Sequence, residues 1–423
     1  MGALSTIATR GISILASFLL TVTVSRILGA EQAGVFFLIF TLNAFLATAG
    51  RFGADNLALR LLSGDSESPK GDVLRLGQVV VGVSLLVALI SLVPLVHYFN
   101  ETIPWTTVVL AASSIVPQAI AVFAGAVMRG LKWMAGGVFS ELGSLPTLLV
   151  FLIVINDLVG LYDNDLNFVL GAMALAAWVT AGWATLAVLR VLRRLSDSGL
   201  ALSFPLFLKQ HGGKMMPMAG TSLLAYGMVW APVFILSALS AMEEVSYYSV
   251  AARMANFLIL IPSIQISYLA PQFARLFYAH ETSKLNLLTA QSVRQVLALT
   301  VVPILLLLFL ADPIIQLVFG PSFGPAASVM RLLIVGITIT ISMGQVNQLM
   351  LLCGLERLSL LLTTCAVGVW VIAGWWVAQF FGALGAATLG VIISSSYAVT
   401  SALRLKARTG IKSYFRGFSL EEK

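Results

Sequence analysis

The sequence predicts an all-α polytopic membrane protein, with about twelve transmembrane helices in two six-helix lobes around a central cavity. Three observations carry this expectation: a scarcity of charge, a succession of apolar runs of membrane-crossing length, and a one-sided distribution of Lys and Arg. Only 10% of the 423 residues are charged and 59% are hydrophobic, whereas a soluble domain is roughly 25% charged. So few charges cannot cover a water-facing surface.

A bilayer core about 30 Å thick is crossed by about 20 apolar residues in a helix. Such runs fall near 9–28, 34–54, 77–97, 106–128, 137–156, 167–189, 216–238, 247–270, 295–312, 328–350, 359–380 and 384–403. An even number returns the chain to the side from which it started. The first run follows Arg10 and ends in VSRILGAEQAG, which lacks a small-x-small cleavage site, so it is expected to stay as a helix.

If the N-terminus is cytoplasmic, the inside segments hold 21 of the 25 Lys and Arg residues, and the outside loops hold only Arg26. That asymmetry predicts that both termini are cytoplasmic. The outside loops are short and acidic or neutral, with Asp157, Asp163, Asp165, Glu243 and Glu244. The net charge of +7 is therefore a record of membrane orientation, and no nucleic-acid partner is expected. Cys353 and Cys365 have no Cys or His partner at metal spacing, which predicts neither a disulfide nor a metal site.

Two sequence echoes divide the chain in half. AEQAGVFFL from Ala30 answers MEEVSYYSV from Met242, with Glu31 matched to Glu243 at an offset of 212 residues. VMRGLKWM answers LLCGLERL, with Gly130-Leu131 matched to Gly354-Leu355 at an offset of 224. Six helices per half make the repeats parallel, related by an axis along the membrane normal, as in transporters that rock two lobes around a central site. The expected division is an N-terminal lobe over 1–195, a cytoplasmic linker over 196–214, and a C-terminal lobe over 215–423 that ends in a short basic tail. Within the linker, FPLFLK has the makings of an amphipathic helix at the lipid surface.

Three arginines fall inside apolar runs. A charge there is costly and normally faces protein or a water-filled cavity. Arg51 lies late in the second span, with Asp55 four residues on and on the same helix face as a local partner. Arg253 lies about a third of the way into the eighth span. Arg331 is a few residues into the tenth and within snorkelling reach of the interface. Arg51 and Arg253 belong to equivalent spans of the two halves, and Arg26 stands at the outer end of the first span. Guanidiniums converging on one cavity would suit an anion rich in acceptor oxygens, such as a diphosphate, since each can grip two of them in a fork. Glu141 is the span carboxylate best placed to couple a proton or cation, with Asp55 as a second; a simple hydrogen bond near the inner interface accounts for Glu141 equally well. His97, His211 and His280 lie apart from one another and from any cysteine.

Other chemistries find little support in the sequence. Gly212-Gly213-Lys214 is followed by Met215 and lacks the earlier glycine of a phosphate-binding loop, so the chain carries no ATP-hydrolysing module. The alternative of another class, a membrane glycosyltransferase or polysaccharide polymerase, would need a base, a metal site or a sizeable outer loop, and the outside loops hold one arginine and no histidine beyond His97. No enzyme activity and no cofactor are expected.

The stretches VSRILGAEQAGVFFLIFTL from Val24, YYSVAARMANFLILIPSI from Tyr247, LVFGPSFGPAASVMRLLIVG from Leu317, NQLMLLCGLERLSLL from Asn347 and FFGALGAATLGVIIS from Phe380 resemble the polysaccharide-transporter, or Wzx-type flippase, branch of the multidrug/oligosaccharidyl-lipid/polysaccharide (MOP) superfamily. The resemblance spans nearly the whole chain. It implies a MATE-like fold in a bacterial inner membrane. The implied activity is export by alternating access of undecaprenyl-diphosphate-linked sugar units, such as O-antigen, exopolysaccharide or capsule repeats. Implied partners are membrane lipids, a coupling ion (H+ or Na+) and polysaccharide polymerase or export proteins. In the related lipid II flippases, arginines on helices one, two and eight meet the diphosphate, which by position points to Arg26, Arg51 and Arg253. This sequence has no counterpart of those proteins' two extra C-terminal helices or of the groove they form for the polyprenyl tail. The alternative within the superfamily is a cation-coupled MATE-type drug exporter. Such exporters rely on carboxylates in the first or seventh helix, and the runs 9–28 and 216–238 contain no Asp or Glu.

Overall fold

The structure, a computed structural model, describes residues 2–63, 68–99, 103–193 and 203–415. Among them every regular element is a helix, with no strand. In chain order the α-helices are α1 (Gly2–Arg51), α2 (Ala54–Ser63), α3 (Pro69–Phe99), α4 (Trp105–Ala112), α5 (Ile115–Gly130), α6 (Met134–Val138), α7 (Ser144–Val159), α8 (Leu166–Leu192) and α9 (Phe204–Leu239). They continue with α10 (Met242–Ala255), α11 (Leu260–Tyr278), α12 (Thr282–Phe309), α13 (Ala311–Phe319), α14 (Ala326–Ser342), α15 (Val346–Leu352) and α16 (Glu356–Thr409).

Ten stretches of helix among the described residues are long and apolar enough to cross a membrane. Two of them, over Ser5–Arg51 and Glu356–Thr409, have 47 and 54 residues. At 1.5 Å per residue a straight helix of that length would reach about 70–80 Å, more than twice the hydrocarbon thickness. Each is broken by one glycine in a backbone region that only glycine adopts freely: Gly29 (φ 69, ψ −177) and Gly382 (φ 54, ψ −143). The breaks fall between the first and second expected spans and between the eleventh and twelfth. Ten helices thus accommodate the twelve apolar runs of the sequence.

The helices pack as two compact units, Met1–Gly227 and Met228–Lys423. In the first, a buried cluster gathers Leu57, Leu76, Val80, Phe123, Met128, Phe207 and Met215. Asn43 in α1 joins the break between α4 and α5: its amide donates to the Ala111 carbonyl at 2.9 Å and to Ser114 Oγ at 3.0 Å. In the second unit one cluster forms around Phe273, Leu349, Met350 and Leu405, and another around Trp370 and Ile393.

The linker expectation is only partly observable, since 196–202 lie outside the described residues. From Phe204 the chain is helical and runs unbroken through the seventh span. Phe207, His211 and Met215 are all buried, one above another at i, i+4 and i+8. Phe207 and Met215 belong to the core cluster of the first unit. Within FPLFLK itself only Phe207 is buried, while Phe204, Leu206 and Leu208 stay exposed. Beyond α16, Gly410 (φ 73) ends the helix and the chain doubles back along α12. There the Lys412 N–H donates to Asn286 Oδ1 at 2.7 Å, and Thr289 Oγ1 donates to the Lys412 carbonyl at 3.2 Å. The rest of the basic tail, 416–423, lies outside the described residues.

Large apolar side chains point outward along the spans, among them Leu86, Leu89, Ile90 and Val93 on α3 and Trp375, Trp376, Phe380 and Phe381 on α16. In water such faces would be a liability; in lipid they are solvated.

Candidate functional site

In the first unit two ion pairs, Arg51–Asp55 and Arg129–Glu141, lie within electrostatic reach of each other. α1 ends at Arg51, and two residues in the left-handed region follow, Phe52 (φ 48) and Gly53 (φ 73). α2 then starts, with Asp55 in its first turn, where the exposed N–H groups of a helix favour an anion. Arg51 Nη1 meets Asp55 Oδ2 at 2.6 Å, and its Nη2 donates to Thr48 Oγ1 at 2.8 Å. The expected pair therefore forms, but across a turn and not along one helix face. Gly53 is required there by contact as well as by φ, because a Cβ would lie 2.5 Å from the Met215 carbonyl oxygen of α9.

Glu141 sits in a π-helical turn, Phe139–Gly143, between α6 and α7. Such turns are frequent at functional positions. Its carboxylate pairs with Arg129 Nη2 at 2.9 Å, with about a quarter of each side chain exposed. Two glycines bring the helices together: a Cβ on Gly125 would lie 2.8 Å from the Gly137 carbonyl oxygen, and one on Gly137 would lie 2.6 Å from the Gly125 carbonyl oxygen. Arg51, Asp55 and Arg10 also act electrostatically on Glu141. The cluster thus holds three guanidiniums and two carboxylates. The Nε atoms of Arg51 and Arg129 are buried without a hydrogen-bond partner.

The second unit arranges its charges differently. Arg253 is partly buried in the last turn of α10. Arg331 pairs with Asp312 of α13, and its Nε donates to the Leu308 carbonyl at 3.1 Å. Glu244 accepts the Ala383 N–H at 2.6 Å, directly after the Gly382 break. In the first unit Arg26 is exposed on α1. Among the described residues no cluster of His, Cys, Asp and Glu could hold a metal ion.

Sequence reasoning missed Arg129, which it counted as a loop charge. The signal was the spacing of Gly125 and Arg129 on one helix, opposed by Gly137 and Glu141 at the same interval. It also missed a cavity of about 360 Å³ lined by residues of the second unit, because that cavity is assembled from uncharged residues spread over every crossing helix of the unit.

No protein-family model matches the chain, and no curated protein sequence does. Solved structures do. An inward-facing multidrug-resistance MATE family transporter of the MOP superfamily superposes with a TM-score of 0.68 at 15% identity, over 96% of this chain and 98% of that one. A Vibrio cholerae MATE transporter in its bent form gives 0.61 at 16% identity, covering 98% of each chain. A MOP superfamily transporter from Pyrococcus furiosus gives 0.63 at 14% identity, over 96% of this chain and 94% of that one; it is described as having a binding pocket of reversed polarity that suggests a different function. At these identities the likeness is one of fold. The chain is a polytopic helical membrane protein with the fold of MATE-type transporters.

Proposed function

We propose that the protein is a flippase that moves a polyprenyl-diphosphate-linked oligosaccharide across a bacterial inner membrane by alternating access, with both termini in the cytoplasm. The observation that carries this reading is the sign of the charge inside the first unit. Asp55 and Glu141 each face an arginine, and with Arg10 the cluster is left cationic. A cationic drug would meet no uncompensated carboxylate there, whereas a diphosphate offers oxygens to guanidinium donors. The fold alone suits a cation-coupled drug exporter equally well, so charge separates the two readings. The reversed pocket polarity described for the Pyrococcus furiosus protein is consistent with a fold that tolerates such a change of sign.

In this reading Arg51 and Arg253 each contact the diphosphate during its passage. Arg26 and Arg331, nearer the acidic-loop ends of their helices, extend the cationic path. Asp55 and Glu141 hold Arg51 and Arg129 in place between substrates, and a proton or sodium ion, if one is coupled, would act through them. The tail stays in lipid. Repeat units for O-antigen, exopolysaccharide or capsule have the required chemistry, and a polysaccharide polymerase would use the product.

The test is transport in liposomes. Arg51→Ala and Arg253→Ala should each slow movement of undecaprenyl-diphosphate oligosaccharide at least tenfold, the equivalent of about 1.4 kcal/mol. Lys at either position should restore only part of the rate, since an ammonium does not grip two oxygens in a fork. Wild-type rates in both Ala variants, or faster efflux of a cationic dye than of the lipid, would overturn the reading.

A further inference from the structure

The cavity of the second unit has a volume of about 360 Å³, within the roughly 300–1,000 Å³ of small-ligand sites. Its lining contains no Asp, Glu, Lys, Arg or His. Neither a phosphate nor a cation finds a counter-charge in it. What the walls do carry is aromatic rings and amides: Trp230, Trp370 and Tyr248, with Asn256, Gln265 and Gln345.

Part of this polar set is fixed in place. Gln265 accepts from Ser292 Oγ at 2.7 Å, and its Nε2 donates to the Ser292 carbonyl at 3.1 Å. Gln345 Nε2 donates to the Pro262 carbonyl at 3.0 Å. The Tyr248 hydroxyl, the Asn256 amide and Gln345 Oε1 take part in none of these bonds. Tyr248 is only 6% exposed and lines the cavity, where a ligand group can take the place of water as partner to its hydroxyl. The corner between the rings is bare backbone. A Cβ on Gly390 would lie 3.3 Å from the Trp370 ring and 3.9 Å from Tyr248 Oη.

An occupant must therefore be uncharged, present an apolar face to the rings, and offer groups that both donate and accept. A hydrocarbon chain would leave the hydroxyl and amides unpaired. A sugar ring meets all three demands, with C–H faces for aromatic contact and hydroxyls for Tyr248, Asn256 and Gln345. We propose that this cavity is the glycan subsite of the protein, holding a neutral sugar residue of the transported lipid apart from the arginines that meet its diphosphate. The assignment rests on the flippase reading and narrows it, because it makes recognition of the sugar a property of the second unit alone.

The experiment uses the full chain in liposomes with two probes: the undecaprenyl-diphosphate oligosaccharides extracted from the source cells, and undecaprenyl diphosphate without sugar. Tyr248→Phe combined with Asn256→Ala, and separately the cavity-filling Ala252→Leu, should slow the sugar-bearing lipid about tenfold and the bare lipid less than twofold. Thermal unfolding of each variant checks that it is folded, and either variant alone suffices. Equal slowing of both lipids, or of neither, overturns the subsite. Should the wild type move neither lipid, the flippase reading falls. The subsite is then judged by direct binding of the oligosaccharide released from the same extract: binding lost in Tyr248→Phe/Asn256→Ala sustains it, and no binding to the wild type overturns it.

Discussion

Arg129 and Glu141 hold each other at 2.9 Å with about a quarter of each side chain exposed. Removing one partner of a shielded pair costs more than the pair contributes, because the survivor keeps its desolvation without its counter-charge. Glu141→Gln is therefore expected to lower stability by about 1–2 kcal/mol, below the 3–5 of a fully buried pair because solvent screens part of the charge. The neutral double variant Arg129→Gln/Glu141→Gln should recover at least half of the loss. Thermal unfolding in detergent measures both, and additive losses would remove the pair as a unit. The Arg51–Asp55 contact was legible from spacing, although the turn that carries it was not, because Phe52 gives no sign of a left-handed backbone. The Arg129–Glu141 contact joins residues 12 apart through the close approach of Gly125 and Gly137. No periodicity within one helix reports such a meeting.

Two connections between helices rest on single glycines, Gly29 and Gly382, which fall between apolar runs and carry no mark of their role in the sequence. At Gly382 the backbone is at φ 54, and a Cβ would lie 2.6 Å from Glu244 Oε2, the oxygen that accepts the Ala383 N–H. Gly382→Ala is expected to cost at least about 2 kcal/mol, from the backbone region together with the displaced carboxylate. Glu244→Gln should cost about 1 kcal/mol, as for loss of charge at a helix N-terminus. Gly213→Ala, in the third turn of α9 with no atom near its Cβ, should be neutral or slightly stabilising. The same unfolding measurement ranks all three, and a Gly382→Ala variant as stable as Gly213→Ala would contradict the role of Gly382. The apolar runs themselves were readable because length and hydropathy survive any packing arrangement. The repeat was readable only approximately. Both connections after the fourth and tenth spans end in the same hydrogen-bond pattern, Trp133 N to Met128 O with Lys132 N to Arg129 O, and Leu355 N to Met350 O with Gly354 N to Leu351 O. The left-handed positions are Lys132 (φ 66) and Gly354 (φ 71). Lys132 therefore corresponds to Gly354, and the Gly-Leu echo of the sequence is two residues out of step. A lysine in a glycine's conformation hid the true register.

For the molecule as a whole the sign of charge decides how transport is driven. In the proposed cycle the protein returns to its starting state, so the net charge moved is that of the headgroup, two negative charges for a diphosphate diester. An inside-negative potential favours its outward passage by about 2.3 kcal/mol per charge per 100 mV, roughly 5 kcal/mol for two. A coupled proton works against this. Protonating Asp55 or Glu141 would release Arg51 or Arg129 for the anion, so proton uptake and diphosphate binding reinforce each other. A proton carried outward with the lipid would then move against both the potential and the usual pH gradient. Outward movement in the proposed cycle is therefore expected to be driven by the potential, with no proton coupled through Asp55 or Glu141. In liposomes, an inside-negative potassium diffusion potential should raise the extent of outward movement at least tenfold, whereas a pH gradient at zero potential should change it less than twofold. Movement that follows the pH gradient and ignores the potential would mean that the carboxylates exchange protons as the substrate passes, and Asp55 and Glu141 would then be the coupling groups of the cycle and not mere anchors for Arg51 and Arg129.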